Sequence, residues 1–205
     1  MDPIKLIKQD HRTIRRLFRT FEQTSKRSDR QKIAEEIIEE LSIHAAMEEQ
    51  LLYPVLRARD ARLENSVLNA LEEHHTAKLL LAELDAMKVD HERYAAKMHV
   101  LKEAIETHIA EEEESLLPRV EKAFDRDEQR AMAEAILAIK QVAPTHPHPG
   151  APDVPPKNVL AALLAKLSDA SKDLVRTLVE GDKAEGHRRV RDRAKATAAA
   201  ARRPA

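Results

Sequence analysis

Apolar residues recur every three or four positions along most of the chain, the spacing that gathers them on one side of a helix. Asp2-Pro3 reads as an N-cap with proline in the first helical position, and Ile4, Ile7, Ile14, Leu17, Phe18 and Phe21 carry the stripe to a helix end near Ser25. Ser28 offers a cap for a second helix with the inward stripe Ile33, Ile37, Leu41, His44, Glu48, Leu51 and Val55, its last turn disturbed by Pro54. A third helix is expected from Arg62 to near Met87 through Leu63, Val67, Leu71, His74, Leu81 and Leu84. Asp90 is expected to cap a fourth through Met98, Leu101, Ile105, His108, Glu112 and Leu116, and a shorter fifth spans Arg126 to Gln141. The connections are only a few residues long, so successive helices must run antiparallel. The expected architecture is all-α: an up-down-up-down four-helix bundle with a short fifth helix.

The proline-rich run at residues 143–157 cannot continue a helix and reads as an extended linker that closes a domain of residues 1–142. Beyond it, Leu160, Leu163, Leu164, Leu167, Leu174 and Leu178 predict an amphipathic helix over 158–181, placed either against the bundle or in self-association. Residues 182–205 lack the apolar mass for a core and read as a disordered or conditionally helical basic tail. Eight Lys or Arg face two acids from Lys183 to Ala205, a net +6 hidden in an overall charge of −1.

Composition narrows the chemistry. Aromatic residues make up 2% of the chain and glycine occurs three times, which favours helices over strands. Cysteine is absent, so disulfides, thiolate zinc sites and iron–sulfur ligation are excluded, and any metal must be held by imidazole and carboxylate. No basic segment precedes an apolar leader and no apolar run has the length of a membrane span, so the expected location is the cytoplasm.

The polar residues that interrupt the stripes repeat. Residues 44–56, HAAMEEQLLYPVL, align with 108–120, HIAEEEESLLPRV, pairing His44 with His108, Glu48 with Glu112, Glu49 with Glu113 and Pro54 with Pro118. His11 and His74 stand in the same relation, so each half carries a helix with one His and then a helix with His-x-x-x-Glu. Residues four apart on a helix share a face, so each His/Glu pair is a chelate, and four helices aim His11, His44, Glu48, His74, His108 and Glu112 at one layer. A lone inward histidine is usually a hydrogen-bonded core residue. Six such residues on four apolar stripes point instead to a metal, because burying them unpaired costs several kcal/mol. Imidazole with carboxylate suits iron or manganese, and six ligands suit two ions better than one. His75, His91, His99, His146, His148 and His187 fall outside the stripes and read as surface residues. Glu49, Glu111, Glu113 and Glu114 read as solvated acids, or as supporting or entry-path acids around the site, not as direct ligands.

The order His11, His44-x-x-x-Glu48, His74, His108-x-x-x-Glu112, with the trailing Leu-Tyr-Pro (52–54) and Leu-Leu-Pro (116–118), resembles the hemerythrin and HHE cation-binding family over residues 1–125. The resemblance implies a non-haem centre of two Fe ions bridged by Glu48 and Glu112, with Mn or Zn as possible substitutes. It also implies a small ligand such as O2, NO or peroxide. The third helix of the oxygen carriers supplies a second histidine four residues after the first, where this chain has Lys78. A missing ligand leaves a position open, or filled by another carboxylate or a tyrosine, which favours sensing or redox reactivity over oxygen carriage. The alternatives are a di-iron enzyme reducing peroxide or NO, and a metal-binding module whose basic tail contacts nucleic acid without sequence specificity.

Overall fold

The computed structural model describes residues 1–150, so the expectations for 158–181 and 182–205 lie outside the described residues, as does the second half of the proline-rich run, 151–157. Among the described residues the stripes form seven α-helices: α1 (Pro3–Gln23), α2 (Arg27–Met47), α3 (Tyr53–Arg59), α4 (Glu64–Asp85), α5 (Tyr94–Glu111), α6 (Leu117–Ala123) and α7 (Arg126–Lys140). Two π-helical turns, Glu48–Leu52 and Glu112–Leu116, join α2 to α3 and α5 to α6. The bundle therefore has four arms: α1, α2 with α3, α4, and α5 with α6. The fifth helix, α7, packs against α1 and α2.

Each π turn stands directly before a proline. Tyr53 N–H reaches back five residues to Glu48 O, and Leu117 N–H reaches Glu112 O. Pro54 and Pro118 have no N–H, and in a regular helix each ring would strike the carbonyl four residues back. Widening the preceding turn by one residue accommodates the ring without breaking the arm. The disturbance expected at Pro54 is thus a change of helical register that begins at the glutamate itself.

Two expected caps are corrected. Asp2 does cap α1, accepting from Ile4 N–H at 3.0 Å. Ser28, however, lies inside the first turn of α2, where its hydroxyl donates to Asp29; the cap position is Lys26, whose side chain makes no capping bond. Asp90 sits in the connection before α5 and pairs with Arg27 at 2.9 Å. Turns closed by His91 N–H to Lys88 O and Tyr94 N–H to His91 O use up the residues that would have formed an earlier helical start. Asp125 does cap α7, in a capping box with Glu128.

The core is split into two apolar layers. Ile7, Met47, Leu51, Leu56, Val67, Leu116 and Ile136 belong to one. Ile14, Phe18, Leu41, Leu81, Met98, Leu101 and Ile105 belong to the other. On every arm the metal-competent residues fall where the stripe passes from one layer to the other. Leu101 is fully buried in the second layer, away from the polar residues. Leu101→Ala is expected to lower unfolding free energy by about 2–5 kcal/mol in denaturant titration, with the slope unchanged.

Candidate metal centre

His11, His44, Glu48, His74, His108 and Glu112 are all buried and all meet between the two apolar layers. His11, His44, Glu48 and Glu112 form one group whose donor atoms lie within 4.8 Å of one another; Glu48, His74 and His108 form a second. Glu48 belongs to both groups and Glu112 only to the first, so the expected pair of bridging carboxylates is uneven.

The contacts inside the layer are close but poorly aligned as hydrogen bonds. His11 Nε2 stands 3.2 Å from Glu112 Oε2, and His44 Nε2 stands 3.1 Å from Glu48 Oε1. The exception is His74 Nε2 and His108 Nε2, which lie 3.1 Å apart in hydrogen-bond geometry. His11 Nε2, His44 Nε2, Glu48 Oε1 and both oxygens of Glu112 nevertheless lack a hydrogen-bond partner. Buried donor atoms that crowd together without pairing fit a shared cation better than they fit one another.

The outer edge of each imidazole faces an acid. His11 Nδ1 is 2.9 Å from Glu113 Oε1, His74 Nδ1 3.1 Å from Glu49 Oε1, and His108 Nδ1 2.8 Å from Glu73 Oε2. His44 Nδ1 lies 3.6 Å from Asp10 Oδ2, an ion-pair distance. Once a ring is neutral, donation from Nδ1 leaves the Nε2 lone pair facing inward, the tautomer a metal requires. Arg15 pairs with Glu113 at 3.2 Å, Lys78 with Glu49 at 2.9 Å, and Lys140 with Asp10.

Several of these residues were not singled out from the sequence. The sequence leaves Glu49 and Glu113 open between solvated and supporting acids, and gives Asp10 and Glu73 no role at all. Their signal was present: Asp10-His11 and Glu73-His74 align at the same offset as the two histidines. Lys78 was read only as an absent histidine. It is the repeat partner of Arg15: each stands four residues after a histidine and pairs with the acid that faces that histidine's Nδ1, Glu113 for Arg15 and Glu49 for Lys78. Tyr53 is fully buried, and its hydroxyl donates to Glu48 Oε2 at 3.3 Å and lies 3.3 Å from His74 Nε2. Its repeat partner is Leu117, so only the second donor group has a phenol beside it.

The site's electrostatics follow from burial and pairing. Burial opposes charge on His108, but contacts with Glu48 and Glu73 and the charges of Glu48 and Glu112 outweigh it and push its pKa up to about 10. His11 and His74 are raised for the same reason, burial being outweighed by Glu112 and by Glu48 respectively. Burial would raise Glu48, but His44, His108 and His74 hold it well below the usual range, while burial and the charge of Glu48 raise Glu112. Burial and the neighbouring carboxylates raise the Tyr53 phenol well above its ordinary value, so it remains a donor.

The bundle's buried layer of histidines and glutamates is compatible with metal binding. The chain belongs to the hemerythrin HHE cation binding domain family, whose sequence model matches residues 2–120. It is similar to a hemerythrin-like protein of Schizosaccharomyces pombe, 26% identical over 168 residues covering 82% of this chain and 83% of the relative. It is also similar to a protein of Nostoc sp. named DNA nickase, 26% identical over 138 residues, 66% of this chain but only 38% of that relative. Among solved structures, a hemerythrin HHE cation binding domain-containing protein from Mycobacterium kansasii shares the fold, with a TM-score of 0.61 and 21% identity over 86% of this chain and 99% of that one.

Raised histidines contribute stability to the metal-free chain in full below their unfolded value near ~6.5. That contribution is lost as pH rises toward about 10 at His108. Glu48, Glu49 and Glu113 are lowered, so theirs is present above the usual carboxylate value and lost on acidification. The denaturant midpoint of the metal-free chain is expected to fall between pH ~7 and ~10, while metal affinity climbs over the same interval as protons leave the imidazoles. Calorimetric metal titration in buffers of different ionisation enthalpy checks the proton release; none near neutral pH would contradict the protonated imidazoles.

Proposed function

We propose that this chain is a non-haem di-iron protein that senses or handles dioxygen, nitric oxide or peroxide, with His11, His44, Glu48, His74, His108 and Glu112 as the protein ligands. The observation that carries this is the unevenness of the two donor groups, four donors around Glu112 against three at His74 and His108. The three-donor group leaves room for a small exogenous ligand, and Tyr53 brings a protonated hydroxyl to that side. Two irons held by these residues would supply electrons and Lewis acidity toward a small ligand; manganese could substitute in both respects, zinc only as a Lewis acid.

The chain's own residues do the rest. Glu113, Asp10, Glu49 and Glu73 fix each ring by its outer nitrogen, and Arg15, Lys140 and Lys78 neutralise three of those four acids. The apolar layers above and below exclude water. Tyr53 keeps its proton at the phenol oxygen and offers it as a hydrogen bond to Glu48 or to a ligand. That hydroxyl also favours the second reading, turnover of peroxide or nitric oxide with a reductant.

Purified without chelator, the chain is expected to carry about two irons, and a His44→Ala, His108→Ala double variant to lose both together with the visible absorption. Spectral change on adding nitric oxide or peroxide without sustained consumption supports the sensor; sustained consumption with a reductant supports the enzyme. A metal-free chain whose stability is unchanged in the double variant would defeat both. Tyr53→Phe is expected to keep the iron and alter the ligand-bound spectrum.

A nucleic-acid role for the basic C-terminal segment is favoured by the +6 charge after Lys183 and by the name of the Nostoc relative. It predicts binding of double-stranded DNA at low salt that weakens steeply as salt rises. Truncation after residue 150 is expected to abolish it, and no binding at low salt in a filter or anisotropy assay would end the idea.

A further inference from the structure

The buried layer has one polar approach among the described cavities. A cleft of about 80 Å³ opens between α4 and the second π turn, lined by Ser66, Asn69 and Glu73 on one side and Glu111 and Ser115 on the other, with Glu112 at its inner end. Ser66, Asn69, Glu111 and Ser115 are exposed and Glu73 is partly buried, so the lining runs from solvent inward. Glu112 is 1% exposed, and neither of its carboxylate oxygens has a hydrogen-bond partner. No Lys or Arg lines the cleft, and three carboxylates do: Glu111, Glu73 and, innermost, Glu112. The cavity on the opposite side of the layer, against Leu41, Ala77, Lys78 and Ile105, is only about 10 Å³ and mostly apolar, with an ammonium at its wall.

We propose that the cleft between α4 and the second π turn is the port through which a hydrated divalent cation reaches the buried layer. This rests on the metal reading of that layer. Glu111 and Glu73 attract the cation, because carboxylates at a narrow polar mouth raise the local concentration of the opposite charge. Hydroxyl, amide and carboxylate oxygens from Ser66, Asn69 and Ser115 to Glu112 replace its water stepwise, as hard divalent ions prefer oxygen. Glu112, unpaired at the inner end, takes the ion first and presents it to His11 on one side and His108 on the other. The π turn matters here because it begins at Glu112 and carries Ser115 to the rim.

A port changes the rates of loading and release together and leaves the equilibrium alone, whereas a ligand changes the equilibrium. The test is stopped-flow loading of the full metal-free chain with Co2+, followed by its visible bands, and the matching release rate into excess chelator. Asn69→Phe plugs the cleft; it is expected to slow loading and release alike by about tenfold or more, with the dissociation constant held within about twofold. Glu111→Lys is expected to slow loading and to flatten its salt dependence, while Glu39→Lys on the exposed face of α2 leaves loading unchanged. Circular dichroism confirms folding of each variant, and Glu111→Lys, on an exposed helix face, stands alone if Asn69→Phe misfolds. Loading rates equal to wild type in the cleft variants, or rates that track sub-denaturing urea in every variant, would overturn the port while the metal centre stands. Failure of the wild-type chain to bind Co2+ at all would instead overturn the centre itself.

Discussion

The structure depends on keeping two carboxylates and four imidazoles in the middle of an apolar bundle. Left without partners, such groups would cost several kcal/mol and the layer would not form. The surrounding residues offset that cost in concentric fashion. Each ring meets an acid on its outer side, and three of those acids meet a cation: Arg15 at Glu113, Lys78 at Glu49 and Lys140 at Asp10. The fourth, Glu73, has a side chain 36% exposed, so water takes the place of the cation. Among the buried polar residues of the described 1–150, only Ser42 stands outside this arrangement.

The arrangement is a duplication carried into the supporting residues. Asp10, His11, Arg15, His44, Glu48, Glu49 and Pro54 correspond in turn to Glu73, His74, Lys78, His108, Glu112, Glu113 and Pro118. Each half's single-histidine helix faces the other half's glutamates, as His11 does with Glu112 and Glu113, and His74 with Glu48 and Glu49. Neither half can assemble its share of the layer alone. Symmetry is broken where chemistry is proposed: Tyr53 against Leu117, and four donors against three.

The bundle and its polar layer were legible because helical periodicity is a strong signal over long stripes, and a histidine or glutamate on an apolar stripe has nowhere else to point. Caps were less legible. Ser28 and Asp90 have capping chemistry, but Arg27 already starts α2, and two tight turns delay α5 to Tyr94. The π turns were half legible: Pro54 and Pro118 announce a disturbance, and only the backbone shows that it is absorbed by widening rather than by a break. The supporting shell was least legible, because an acid on a helix is usually solvated. Asp10 and Glu73 acquire their roles only when a neighbouring helix brings His44 or His108 within reach.

Asp10 has a further consequence. One of its oxygens faces His44 and the other accepts from Lys140, the last residue of α7. A single carboxylate therefore serves both a ring of the central layer and the seat of the closing helix. Thermodynamic reciprocity follows: whatever free energy the occupied centre lends to α7, the docked α7 returns to the centre, in the same amount. Since the chain passes from α7 into its proline-rich run, Lys140 stands between that run and the Asp10–His44 pair.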